Sequence, residues 1–162
     1  MVQKRYRANF HLEPKFLVVH CVDVRFAEAI ERFMEDLGVV RGRDIIKAFA
    51  GGPVPFAHPG EMKGRAKWLR KQVSFDFEKF ETIETTVVIM HEDCQYYHTI
   101  PERCHRPGKE RSDLVFIGKY LAHHFPDKRT LLYYARFTSN GTEIVFDHVE
   151  QRTRLRDLVL HQ

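Results

Sequence analysis

"FLVVHCVDVRF", Phe16 to Phe26, is the stretch on which the reading of the chain turns. Its first half is short, β-branched and continuously apolar, as a strand is when both faces of a parallel sheet are covered. It then ends in a thiol, and a carboxylate and a guanidinium follow at alternate positions: Cys21, Asp23 and Arg25. After it, Phe26, Ala29, Ile30, Phe33, Met34 and Leu37 recur at helical spacing, with Gly38 as the stop. The unit is strand, polar cluster, helix.

Working outward, the same alternation continues. "DIIKAFA" predicts a second short strand, and "GGPVP" after it a turn or loop. A charged helical pattern runs from about Glu61 to Glu84, with Leu69, Val73, Phe77 and Phe80 as its buried stripe. "TTVVIMH" is another buried strand, ending in His91. Leu114, Ile117, Leu121 and Phe125 then mark a helix that Pro126 ends. "TLLYYARFT", the turn signal "SNG" and "TEIVFDHV" predict a strand and its antiparallel hairpin partner. The expected fold class is α/β: a central, mostly parallel sheet of about four strands plus an antiparallel C-terminal edge strand, with helices on both faces.

At 162 residues the chain is expected to be one domain, 1–162, large enough to build a core without staples. No apolar run approaches the ~18 residues of a membrane span, and the basic start lacks the apolar core of a signal peptide. The expectation is a cytoplasmic protein with no membrane partner. Three widely spaced cysteines argue against a disulfide framework and leave packing, metal binding or catalysis. The net charge is +4, and basic clusters occur at "QKRYR", "KGRAKWLRK", "RPGKERS" and "QRTRLRD". They are interleaved with acids and match no nucleic-acid-binding signature, so they read as a solvated basic exterior and nucleic acid is not the expected partner.

Ligands of parallel sheets collect beyond the carboxyl ends of the strands. Cys21 and His91 stand at two such ends, and Cys94 follows His91 by three positions. Two thiolates and one imidazole form a soft donor set suited to tetrahedral zinc, with one position left for water or a fourth protein group. Alternation in an extended segment places Asp23 and Arg25 on the same side, where they form a charge-assisted pair beside the metal. Asp23 then either orients a water at the open position or swings in as the fourth ligand. Because two thiolates already neutralise Zn²⁺, activity is expected to favour alkaline pH.

"CVDVR", followed by "IIKAFAGG" and "VVIMHEDC", resembles the β-class carbonic anhydrases: Cys-x-Asp-x-Arg, an Ala-Gly turn after the second strand, and His-x-x-Cys after the third. The likeness covers about Phe16 to Tyr97 and makes the chain look like a short, divergent member. It implies zinc on Cys21, His91 and Cys94, an Asp23–Arg25 pair controlling the fourth position, and a substrate pocket shaped by Gly51 and Gly52. The activity implied is reversible hydration of carbon dioxide to bicarbonate by zinc-bound hydroxide, in a homodimer or higher homo-oligomer. Departures fall at Phe49 and Gly52, where the family carries polar groups, at Gln95 in place of a glycine, at Val22 and Val24 in place of small residues, and at Tyr96, Tyr97 and His98. They leave two alternatives: the same chemistry on carbonyl sulfide or carbon disulfide in a more apolar pocket at Val24, Phe49 and Tyr96, or a non-catalytic zinc-stabilised binding domain. Cys104 with His98 and His105 reads as a solvated loop, His123 and His124 as partners of a helix end, and Trp68 as core or subunit-interface material.

Overall fold

A computed structural model describes residues 13–101 and 108–150. Five strands form one sheet: β1 (Phe16–Cys21), β2 (Ile45–Phe49), β3 (Thr85–His91), β4 (Arg129–Phe137) and β5 (Ile144–His148). Their spatial order is β2-β1-β3-β4-β5. The first four are parallel and β5 pairs antiparallel with β4 at one edge. Among the described residues four α-helices connect them: α1 (Val24–Asp36), α2 (Val54–Ala57), α3 (Lys63–Lys79) and α4 (Lys109–His124). A 3₁₀ turn, Gln95–Thr99, follows β3. The α/β expectation holds, strand for strand.

The apolar strands are apolar because both faces are covered. On one face Leu17, Val88, Met90 and Leu132 pack with Leu69 and Val73 of α3 and with Leu114, Ile117 and Leu121 of α4. On the other, Val18, Val87, Ile89 and Ala135 pack with Phe26, Ile30 and Met34 of α1. Successive residues of β1 and β3 thus alternate between two cores. The amphipathic α1 supplies a single buried stripe, as its spacing predicts.

Element boundaries differ from expectation in three places, each for a local reason. The helix expected over Glu61–Glu84 spans Lys63–Lys79; Phe80 leaves the helix at φ −128°, packs its ring on the core, and the chain turns so that Ile83 is buried ahead of β3. "GGPVP" is a turn that passes directly into α2, a buried helical turn whose Val54 and Phe56 join the core. Phe125 caps α4 instead of lying inside it, and its ring meets Phe77 edge-on.

β2 is an edge strand and is only partly buried. Lys47 ties it to α3 through an ion pair with the buried Asp76 at 2.7 Å. Just ahead of it, the side chain of Asp44 is wholly buried and accepts hydrogen bonds from the N–H groups of Lys15, Phe16 and Val40. Arg43 also pairs with it at 2.7 Å. One carboxylate thereby joins the entry of β1 to the entry of β2. Burial alone would raise its pKa, but the Arg43 guanidinium and the three N–H donors outweigh it and hold the carboxyl below its ordinary value.

A carboxylate with a depressed folded pKa contributes stability that is complete above its unfolded value and is lost as pH falls through the folded one. Asp44→Asn is therefore expected to destabilise the protein by about 2 kcal/mol at neutral pH. The gap to the parent should shrink progressively below about pH 4, read as paired urea denaturation curves against pH. A gap that stays constant from neutral pH to acid would remove the electrostatic account.

Candidate metal centre

The strand order changes direction between β1 and β3: β2 lies on one side of β1, and β3 and β4 on the other. The crevice beyond the carboxyl ends of those two strands is where ligands of open α/β sheets bind. Cys21 ends β1 and His91 ends β3. The turn after β3 brings Cys94 back, so that one donor atom from each of Cys21, His91 and Cys94 lies within 4.8 Å of the others. All three residues are buried.

The donors are prepared individually. His91 Nδ1 donates to the Glu92 carbonyl at 2.8 Å, which fixes the tautomer and leaves a lone pair on Nε2. That Nε2 is buried without a hydrogen-bond partner. The imidazole packs against the Phe26 ring, with centroids 4.4 Å apart and the planes tilted by 32°. The two sulfurs are 3.9 Å apart, with the Cys94 thiol donating to Cys21. That hydrogen bond, with the backbone N–H groups of Gly51 and Asp23, drives the Cys21 thiol down to about 4. The Cys94 thiol is pushed up, by the same hydrogen bond first and then by burial. The pair thus holds one negative charge readily and a second only beside a cation.

This donor set fits zinc. Two Zn–S bonds of about 2.3 Å at the tetrahedral angle need sulfurs about 3.8 Å apart, and the unpartnered imidazole nitrogen supplies the third ligand. An orphaned buried polar atom of this kind is rare in folded proteins and calls for a partner.

Asp23 and Arg25 are paired, but not by strand alternation. The extended segment ends at Cys21, and Asp23 is the N-cap of α1, its Oδ1 accepting from the Arg25 N–H at 3.0 Å. Arg25, in the first turn, closes a fork onto the same carboxylate, with Nε 3.0 Å from Oδ1 and a terminal nitrogen 2.7 Å from Oδ2. The guanidinium beside it holds the Asp23 carboxyl below the usual range. The opposite side of the guanidinium reaches Asp93, at 2.9 Å to its carboxylate and 2.9 Å to its carbonyl. Arg25 therefore fastens the β1 exit to the β3 exit.

Gly51 and Gly52 stand where the motif places them, and the reason is steric. Both have positive φ, +78° and +48°. A Cβ on Gly51 would lie 2.2 Å from the Tyr96 ring, and one on Gly52 would lie 2.6 Å from the backbone of His20 and 2.7 Å from that of Cys21. The turn must press against the end of β1, which is how the Gly51 N–H reaches the Cys21 sulfur. Phe49 pairs in register with Cys21, and Tyr96 is buried over Gly51. Gln95 is exposed and donates to Asp93 at 3.2 Å.

Other expected residues fall elsewhere. Val24 is 86% exposed and Val22 is exposed too, so neither lines an apolar pocket; both follow the strand into solvent at the start of α1. Trp68 is also exposed. His123 and His124 occupy the last turn of α4, where His124 packs on Tyr120. Cys104 and His105 lie outside the described residues.

Asp93 and Glu92 read in the sequence only as a spacer between His91 and Cys94. Asp93 adopts φ +51°, a left-handed conformation that Asp tolerates better than most residues. Glu92 accepts the Phe137 N–H at 2.7 Å and so anchors the loop to β4. Beneath the loop, Tyr97 donates to Asp113 at 2.7 Å, and His58 meets the same oxygen at 2.7 Å. These partners are 16 and 55 residues from Asp113, a separation with no local signature.

No family model matches the chain, and no curated protein matches it. Among solved structures, β-carbonic anhydrase isoform I from the protozoan Trichomonas vaginalis superposes with a TM-score of 0.50 at 11% identity, over 88% of this chain and 87% of that one. The fold is β-carbonic anhydrase-like. One of two tetrameric β-carbonic anhydrases from the ascomycete Sordaria macrospora gives a TM-score of 0.44 at 12% identity, covering 86% of this chain and 84% of its own. The β-carbonic anhydrase of the fungal pathogen Aspergillus fumigatus gives 0.44 at 11%, covering 86% and 77%. Among the described residues no helix is long and apolar enough to cross a membrane.

Gly52→Ala is expected to cost about 3 kcal/mol, because it combines a strained φ with a clash against fixed backbone. Gly60→Ala, where a Cβ meets open space, should stay within about 0.5 kcal/mol of the parent. Chemical denaturation of the two variants side by side distinguishes close approach from a general dislike of alanine in loops.

Proposed function

We propose that the protein is a zinc-dependent carbonic anhydrase, converting carbon dioxide and water reversibly to bicarbonate. The observation that carries the reading is the buried, unpartnered Nε2 of His91 beside two thiols, at the switch point of the sheet. Three things support it: the donor chemistry, the β-carbonic anhydrase-like fold, and the order Cys21, Asp23, Arg25, His91, Cys94 along the chain.

In this reading Cys21, His91 and Cys94 hold the metal. Bound there, zinc supplies the Lewis acidity that makes water a competent nucleophile near neutral pH. The residues around it do the rest. The hydrogen bond from the Cys94 thiol, with those of the Gly51 and Asp23 N–H groups, favours the ionised form of the Cys21 sulfur. Asp23, kept ionised by Arg25, is restricted to accepting a hydrogen bond, so it turns a lone pair of the attacking water toward the carbon. Arg25 stops it from turning away, since both of its carboxylate oxygens are engaged. The buried ring of Tyr96 and the backbone of Gly51 close one side of the site to bulk water.

A small neutral electrophile is the substrate class that suits so confined a site. Of the three side chains that favoured a sulfur analogue of carbon dioxide, Val24 faces solvent, which weakens that alternative. The reading also takes the protein to be a cytoplasmic homodimer or larger homo-oligomer.

The test is zinc content by mass spectrometry beside stopped-flow hydration of carbon dioxide. One zinc per chain is expected, with hydration that depends on it. Cys21→Ser, Cys94→Ser and His91→Ala should lose the metal, whereas Asp23→Asn should keep it and lose activity by about 100-fold. Stoichiometric zinc without hydration at any pH would overturn the catalytic part and leave a structural metal site.

A further inference from the structure

The stretch "KGRAKWLRK", Lys63 to Lys71, takes no part in the function proposed above. It carries five cations and no acid and forms the first half of α3. The expectation of a merely solvated face does not account for what lies against it. Between this half-helix and the end of β2 is a cavity of about 380 Å³, within the range of small-molecule sites. Its walls are Phe49, Pro55, Leu69, Trp68 and Tyr96, and its single charged side chain is Arg65.

Three observations point to one kind of occupant. The first is shape: Phe49 and Trp68 meet edge to face with centroids 6.0 Å apart, and Tyr96 stands on another wall. Rings in this arrangement offer faces and edges to a further planar ring. The second is exposure: Trp68 is 53% exposed, a large apolar surface that an isolated solvated helix face does not need. The third is charge. The Arg65 guanidinium lies 5.1 Å over the Tyr96 ring, and among the described residues no carboxylate pairs with it. Lys63, Lys67, Arg70 and Lys71 are exposed around it and add a positive field that no acid on this half of the helix offsets.

We propose that this hollow binds a small planar aromatic anion, its ring against Phe49, Trp68 and Tyr96 and its negative group on Arg65. The site is separate from the metal centre and does not depend on it. It borders the centre through two residues: Phe49, which pairs in register with Cys21, and Tyr96, which walls the cavity on one side and packs on Gly51 on the other.

Trp68 is the chain's one tryptophan, so its indole N–H gives a single assignable resonance in a ¹⁵N-labelled sample. The full-length protein is titrated with 2-naphthoate and, separately, with the neutral isostere 2-naphthamide. Naphthoate is expected to shift the Trp68 resonance saturably, with a dissociation constant of about 1 mM or below. Naphthamide should bind about five- to tenfold more weakly, as should naphthoate to Arg65→Gln, an exposed position whose change leaves the rest of the spectrum in place. Lys119→Gln, on α4, should bind within about twofold of the parent. The proposal is overturned if naphthoate produces no saturable shift, or if naphthamide binds equally well. It is also overturned if the two variants weaken binding alike, which would mean net charge alone. A Trp68 shift that follows protein concentration and ignores naphthoate would overturn it as well, and assign the surface to a second copy of the chain.

Discussion

The whole centre depends on β1 and β3 being parallel neighbours in one register, with Val18 opposite Val87 and His20 opposite Ile89. In a parallel pair both strands end at the same edge of the sheet, so a thiol closing one and an imidazole closing the other arrive side by side without any long-range contact having to select them. The register is enforced by the cores on the two faces, because a slip of one residue would exchange Val18 with Leu17 and bury the wrong set on each side. The packing that stabilises the fold is therefore the same packing that sets the distance between Cys21 and His91.

Onto that frame the loops add what strands cannot. The Gly51–Gly52 turn is pressed against β1 so closely that only hydrogen fits at Gly52, and the close approach delivers an N–H to the Cys21 sulfur. The three-residue step from His91 to Cys94 is short, and it closes because Asp93 takes a left-handed backbone while Glu92 is pinned to β4. Tyr97, Asp113 and His58 then hold the underside of the loop in a buried network, where every polar group must be paired or the fold pays for its desolvation. Steric fit acts on the approach to Cys21, while backbone conformation and buried hydrogen bonding act together on the loop that carries Cys94.

Much of this was legible in the sequence because it is local. Continuous apolar strands, a 3.6-residue stripe ending at Gly38, and turn chemistry at "SNG" are properties of short windows, and they yield the element order, the parallel sheet and the antiparallel edge. Of the three clustered residues, Cys21 and His91 were legible because strand ends mark them, and Cys94 because it follows His91 by three positions. What was not legible depends on backbone direction or on distant partners. The alternation that paired Asp23 with Arg25 assumed that the strand continues; the chain instead starts α1 at Val24, so the pair forms through an N-cap and Val24 turns outward. Asp93 looks like filler until Arg25, 68 residues away, is seen to hold it. Trp68 reads as core or subunit-interface material in a helical pattern, and periodicity alone does not say which; in the single chain its side chain is exposed.

Arg25 illustrates how stability and orientation are divided in this site. Its side chain is 38% exposed, and Asp93 more so, so the two ion pairs add little to folding once solvent screening is counted. Their geometry is nevertheless tightly specified: four donors of one planar fork reach Asp23 on one side and Asp93 on the other, a match that a lysine cannot reproduce. The buried residues hold the donors in place, and the half-exposed arginine fixes the direction in which a carboxylate points. At the solvent edge, orientation can be set by hydrogen-bond geometry where it cannot be set by packing.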